Sequence, residues 1–173
     1  MDSHTNAATA QKKAKPLAPK VKELVNSVKS VILATTNSEG VPTSSYAPYV
    51  QEGKDFYVLV SFMAKHTKNL LNGYASMMFI EDESATKQVY ARERLTMETT
   101  TSKVERDSDL WKTVVASLKE RHGKVVDIIS EMKDFIVIKL EPTKGSYVNG
   151  FGSAYFVDEN LNILEHRNDV NHQ

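Results

Sequence analysis

Cysteine is absent from this chain, so disulfides, thiolate metal sites and cysteine nucleophiles are all excluded. Any metal must be held by histidine, carboxylate or another non-thiolate ligand. Net charge is missing too: Lys plus Arg and Asp plus Glu each number 22, so no field of one sign draws the molecule to nucleic acid or anionic lipid. No apolar run approaches the length of a membrane-spanning helix. Residues 1–14 lack the apolar stretch and small-residue cleavage site of an export signal. The chain also has no Gly-rich phosphate loop, nucleophile elbow, metalloprotease helix motif or nicotinamide fingerprint, which sets aside the familiar hydrolases and nucleotide-binding α/β enzymes. The expectation is a soluble, cytoplasmic protein without nucleic-acid or membrane partners.

What is present is patterned for one domain. The 173 residues divide into a basic, proline-bearing, flexible lead-in over 1–20, a domain over 21–158 and a polar tail over 159–173. Val21, Leu24, Val25 and Val28 fall at helical spacing behind Pro19, a residue suited to a first helical turn. The β-branched run 30–36, the turn residues 37–40 and the extended stretch 42–50 predict a hairpin; Gly53 turns the chain again into a buried strand over 55–60. A short helix over 64–72 ends near Gly73, and a strand follows over 74–81. The pattern then predicts an extended pair across 85–98, continuing over 99–105. Asp107 or Ser108 can cap a helix with Leu110, Trp111, Val114, Val115 and Leu118 on one face and Gly123 at its end. A short helix over 125–132 and strands over 135–140 and 145–157 follow, the strands separated by the turn residues Pro142, Thr143 and Lys144. The last residues, 160–173, carry little pattern. Six or more strands with small connecting helices point to a closed or nearly closed barrel, because closure removes exposed edges.

Five segments, in this order and spacing, carry a resemblance. They are Ser44-Ser45-Tyr46-Ala47-Pro48-Tyr49-Val50, Ala64-Lys65-His66-Thr67-Lys68-Asn69-Leu70, Ile80-Glu81-Asp82-Glu83, Ala91-Arg92-Glu93-Arg94-Leu95-Thr96 and Gly150-Phe151-Gly152-Ser153-Ala154-Tyr155. Together they resemble the haem-degrading, HugZ/HutZ-type branch of the pyridoxamine 5'-phosphate oxidase-like, FMN-binding split-barrel superfamily. The resemblance implies a mainly β fold, a split β-barrel with short peripheral helices, assembled as a homodimer with haem b near the interface. It implies an axial iron ligand at His166 in the C-terminal tail, with His172 as rival, and an aspartate beside the imidazole, matched by Asp134 from the partner subunit.

The chemistry expected of such residues is specific. One strong imidazole ligand leaves the opposite iron face open to O2. A carboxylate accepting the second imidazole N–H makes the ring a stronger electron donor, the role assigned to Asp134. A guanidinium can hold the oxygen ligand or a propionate; Arg92 is the first choice and Arg94 the second, since alternate strand residues share a face. Gly150 and Gly152 would admit a flat macrocycle, or simply bend the barrel. His66 stands where flavin-binding relatives carry a phosphate-binding cation. Three functions remain open at this point: a haem oxygenase drawing on an external electron donor and serving haem utilisation or iron acquisition, an FMN-dependent oxidoreductase on the same fold, and a non-catalytic haem store or carrier. The plainer uses stand beside them: a solvated His166 or His66, surface ion pairs for Arg92 and Arg94, and a strand-capping Asp134.

Overall fold

The computed structural model describes residues 17–167. The lead-in through residue 16 and the rival ligand His172 lie outside them. Helix α1 (Ala18–Ser27) begins with a proline in its first turn and buries Val21, Leu24 and Val25. Strands β1 (Ser30–Thr36), β2 (Pro42–Glu52) and β3 (Asp55–Ser61) form an antiparallel meander, followed by the short helix α2 (Lys65–Leu70) and strand β4 (Tyr74–Ile80). Strand β5 (Arg94–Lys103) leads to helices α3 (Asp109–His122) and α4 (Val125–Glu131). The chain closes with β6 (Phe135–Val148), β7 (Ala154–Asp158) and β8 (Ile163–His166).

The sheet runs β3-β2-β1-β4-β5-β6-β7-β8, and β3 also pairs with β6. Six strands therefore close into a barrel, and β7 and β8 extend from it as a flap. The expected mainly β barrel with peripheral helices is what the chain forms. Alternation fills the interior: Val31 and Leu33 of β1, Met77 and Phe79 of β4, and Leu95 and Met97 of β5 all point inward. Strand β3 is buried on both faces, with Phe56, Val58 and Val60 in the barrel and Tyr57 and Leu59 under α3 and α4 with Val114, Leu118 and Val137. Each such side chain contributes about 1.5–3 kcal/mol of burial.

Three expectations are corrected. The segment 85–98 is not an extended pair: Glu83–Ala85 and Val89–Ala91 are single 3₁₀ turns, and only Arg94 onward is strand. The turns form because Asp82 and Gln88 accept the backbone N–H groups of Ser84 and Tyr90, which competes with sheet pairing. The residues Pro142, Thr143 and Lys144 do not break the strand, because β6 exchanges partners there: Leu140 still pairs with Phe56 of β3, and Lys144 pairs with Asp158 of β7. A proline lacking N–H fits the gap between two ladders, and the register with β5 shifts at Glu98/Thr99. The extended stretch 145–157 is two strands around a turn at 149–153, and the weakly patterned tail contains β8.

Candidate functional site

The turn between β6 and β7 holds the first part of the site. Asn149 N–H donates to Ser153 O (3.1 Å), and Gly152 takes φ +65°, a conformation that favours glycine. Strand β8 returns beside β7 so that His166 lies opposite Tyr155, with ring centroids 5.1 Å apart and planes at 87°. His166 Nε2 is 2.6 Å from Gly152 O. A carbonyl only accepts, so the proton of that hydrogen bond sits on Nε2. The backbone N–H of Arg167 donates to Ala154 O at 2.7 Å.

Register brings the second part to the same place. Arg94 pairs with Val148, and Val148 with Ala154, which puts Arg94 in one cross-strand row leading to Arg167 and His166. The result is a cavity of about 510 Å³ lined by Tyr90, Arg94, Val148, Gly150, Phe151, Gly152, His166 and Arg167 among others. Tyr90 and Phe151 stand at its rim 87% and 72% exposed, two large apolar surfaces offered to solvent at one opening. A neighbouring cavity of about 500 Å³ shares Arg167 and has Gly145, Ser146 and Thr96 beneath Phe156 and Leu164.

Arg92 is placed differently from Arg94. It precedes the strand, donates from Nε to Glu81 O (2.6 Å) and lies 3.7 Å from a Glu83 carboxylate oxygen, while Arg94 Nη1 donates to the Arg92 carbonyl at 3.0 Å. The alternation expected of two strand residues does not apply, because only Arg94 is in β5. Behind them Glu93 accepts the hydroxyl of the buried Tyr147, whose phenol is pushed far up, by burial first and then by Glu93.

Asp134 and His66 do not line the His166 cavity. Asp134 immediately precedes β6, whereas His166 lies level with Tyr155 and hence with Tyr147 near the other end of that strand. The path between them is about 40 Å along β6 at the usual strand rise. Asp134 Oδ2 accepts the Ser61 hydroxyl at 2.6 Å. His66 Nδ1 is 2.7 Å from Ser45 Oγ, and burial lowers the imidazole pKa, favouring the neutral ring. Sequence reasoning named His166, Arg94, Gly150 and Gly152, which the fold gathers; it missed Tyr90, whose place depends on a 3₁₀ turn, and Ser61, whose contact spans 73 residues. Among the described residues no three His, Asp or Glu side chains form a metal-holding group.

A six-stranded barrel with a strand flap and peripheral helices defines a split-barrel protein. Residues 17–149 match the pyridoxamine 5'-phosphate oxidase family, and the chain belongs to that family, on its HutZ-like branch. It is 45% identical over 142 residues to heme oxygenase HutZ of Vibrio cholerae serotype O1, covering 82% of this chain and 81% of that protein. A crystal structure of Vibrio cholerae HutZ, described as a heme storage protein, superposes with a TM-score of 0.71 at 43% identity, covering 74% of this chain and 91% of that one. The crystal structure of Campylobacter jejuni ChuZ superposes with a TM-score of 0.80 at 31% identity, covering 91% of this chain and 65% of that one. No helix among the described residues is long and apolar enough to cross a membrane.

Proposed function

We propose that this protein binds haem b in the cavity under the β6–β7 turn, with His166 as axial ligand, and that as a cytoplasmic homodimer it opens the ring oxidatively. The observation that carries the reading is the convergence, on one open cavity, of an imidazole, the Arg94 and Arg167 side chains and two exposed aromatic rings. That set suits a flat amphipathic ligand with a metal at its centre and carboxylates at its edge. The similarity to HutZ supports the same ligand class.

When bound, haem supplies the oxygen-activating iron and is also the substrate, with electrons from an external donor and O2 as oxidant. His166 would hold the metal through its imidazole. Arg94 holds a propionate by charge-assisted hydrogen bonds, taking the place first expected for Arg92, which is occupied by Glu81 and Glu83. Arg92 instead ties the chain at Glu81 and Glu83, next to the 3₁₀ turn at Glu83–Ala85. Phe151 and Tyr90 would cover the macrocycle, and the glycines beside Phe151 would let the backbone approach. Asp134 of a second copy would accept the imidazole N–H of His166 in exchange for the Gly152 carbonyl that holds it within one chain. The outer face of the barrel supports such an assembly: Tyr46, Ile32 and Met78 form one cross-strand row, with Tyr46 68% and Ile32 38% exposed. A flavin phosphate is a poorer fit, because the place of a phosphate-binding Lys or Arg is taken by His66, whose imidazole pKa burial lowers.

Hemin titration followed by ascorbate in air, with catalase present, tests the reading in one cuvette. A Soret band saturating at one haem per chain and then bleaching to a linear tetrapyrrole is expected. Persistent haem would leave a store or carrier, a reading already favoured by one feature, the neutral carbonyl that His166 engages within its own chain.

A further inference from the structure

The carboxylate of Asp134 is not loose. It stands just outside β6, where no strand ladder fixes its side chain, yet Ser61 Oγ donates to Oδ2 at 2.6 Å. An ionised carboxylate only accepts, so the hydroxyl proton points at it. The Met63 N–H, 3.1 Å from the same oxygen atom, occupies one lone pair of the hydroxyl and leaves its proton for Asp134.

Ser61 is itself immobilised. It is the last residue of β3 and pairs with Phe135, while its carbonyl accepts the hydroxyl of the fully buried Thr67 at 2.6 Å. Phe62 N–H donates to the Asp134 carbonyl at 2.9 Å. The end of β3, the start of β6 and helix α2 are thus tied at one point, and the aspartate takes two direct bonds, from Ser61 Oγ and the Phe62 N–H, with Ser61 itself held by Thr67 and Met63. Its other oxygen, Oδ1, takes no hydrogen bond among the described residues. Half-buried and rigidly oriented, with one oxygen engaged and one open, this is an acceptor prepared for an N–H from another molecule.

We propose that Ser61 is a positioning residue for the haem chemistry, holding Asp134 so that Oδ1 receives the imidazole N–H of His166 from a second copy when that N–H exchanges the Gly152 carbonyl for the carboxylate. The inference rests on the function proposed above. Ser61 touches neither haem nor iron; it acts through the direction of the carboxylate, because a charge-assisted hydrogen bond weakens steeply with angle.

The test compares wild type, Ser61→Ala, Ser61→Thr, Asp134→Asn and the double variant Ser61→Ala/Asp134→Asn, all loaded with haem. The iron–histidine stretching frequency of the ferrous protein is read by resonance Raman, beside hemin affinity and turnover. Ser61→Ala is expected to lower the frequency in the direction of Asp134→Asn and to slow turnover about ten-fold, with hemin affinity within about two-fold of wild type. Ser61→Thr, which keeps the hydroxyl, is expected to restore both, and the double variant to match Asp134→Asn alone. Should Ser61→Ala fold poorly, Ser61→Cys, a similar shape with a weak donor, is read instead. A wild-type frequency and rate in the serine variant, beside a shifted Asp134→Asn, overturns the positioning role and leaves the haem reading standing. Wild-type behaviour in both variants overturns the role of Asp134 and this inference with it, and failure to bind hemin at all overturns the parent reading.

Discussion

Replacing Gly145 by alanine tests how tightly the site is built onto the barrel. Gly145 faces Met97 across β5 and β6, one step from the register shift at Glu98/Thr99. A β-carbon there would lie 2.1 Å from Thr96 O, 2.4 Å from Met97 Sδ and 3.1 Å from Met97 Cα. The thioether can swing aside, but a ladder carbonyl cannot, and its overlap with the new methyl is of order 1 Å against an ordinary C···O contact. The two strands must separate locally. Overpacking costs about 1–3 kcal/mol, and one or two weakened ladder bonds add about 1 kcal/mol each. A loss of about 3 kcal/mol corresponds to a melting temperature lower by roughly 6–12 °C for a chain of this length. Gly40→Ala is the control: its φ of +79° carries a backbone penalty, but nothing lies within 4 Å of the added carbon, so the cost is about 1–2 kcal/mol. Thermal unfolding followed by circular dichroism measures both. Because β7 pairs with β6 from Lys144 to Val148 and carries β8 in turn, Gly145→Ala should also weaken hemin binding. A Gly145→Ala protein melting within about 2 °C of wild type would refute the steric argument.

Arg94→Ala is expected to weaken hemin affinity about ten-fold, the loss of one charge-assisted hydrogen bond, and Arg92→Ala less than about three-fold; the opposite ranking in a Soret titration would return the propionate role to Arg92. His66 gives a pH dependence with a defined sign. Burial depresses its folded pKa, so the unfolded chain binds the proton more readily, and the contribution is complete above the ordinary value of 6.5 and lost as pH falls through the folded one. Urea midpoints at pH 7.5 and 5.5 should therefore fall more in wild type than in His66→Gln, and equal falls would remove His66 from the account.

Local signals were sufficient wherever a residue acts on its own neighbours. Ser108 accepts the Trp111 N–H at 3.2 Å to start α3, and Gly123, at φ +91°, ends it, both readable from the sequence. The double burial of β3 was readable from its unbroken run of aromatic and β-branched residues. Signals failed where a partner elsewhere in the chain decides. Pro142 looks like a break but sits between the β3 and β7 ladders, where its missing donor matters to neither. Strand β8 is only four residues long and edges the flap, with Leu164, Glu165 and His166 exposed, so it shows no alternating apolar pattern to mark it as a strand. The same holds for the candidate site: His166 and Arg94 are 72 positions apart in number and meet only through the Arg94–Val148–Ala154 row.

The length of β6 also bears on what one chain can do alone. Within a chain, the His166 N–H meets the Gly152 carbonyl, a neutral acceptor that steadies the ring without adding negative charge to it. The carboxylate assigned to that proton under the proposed reading stands before the other end of the same strand, about 40 Å away along the backbone, and does not line the His166 cavity. Under that reading one chain would hold haem, and two would be needed to push electrons onto its iron. An Ile32→Asp variant separates the states, because it places a charge in the middle of the Tyr46–Ile32–Met78 row on the outer face. Sedimentation should show a monomer that still gives a Soret band with hemin but keeps its haem when reductant is added. A monomeric variant that bleached hemin at the wild-type rate would show that the carbonyl alone suffices, and the second copy would lose its part in the chemistry.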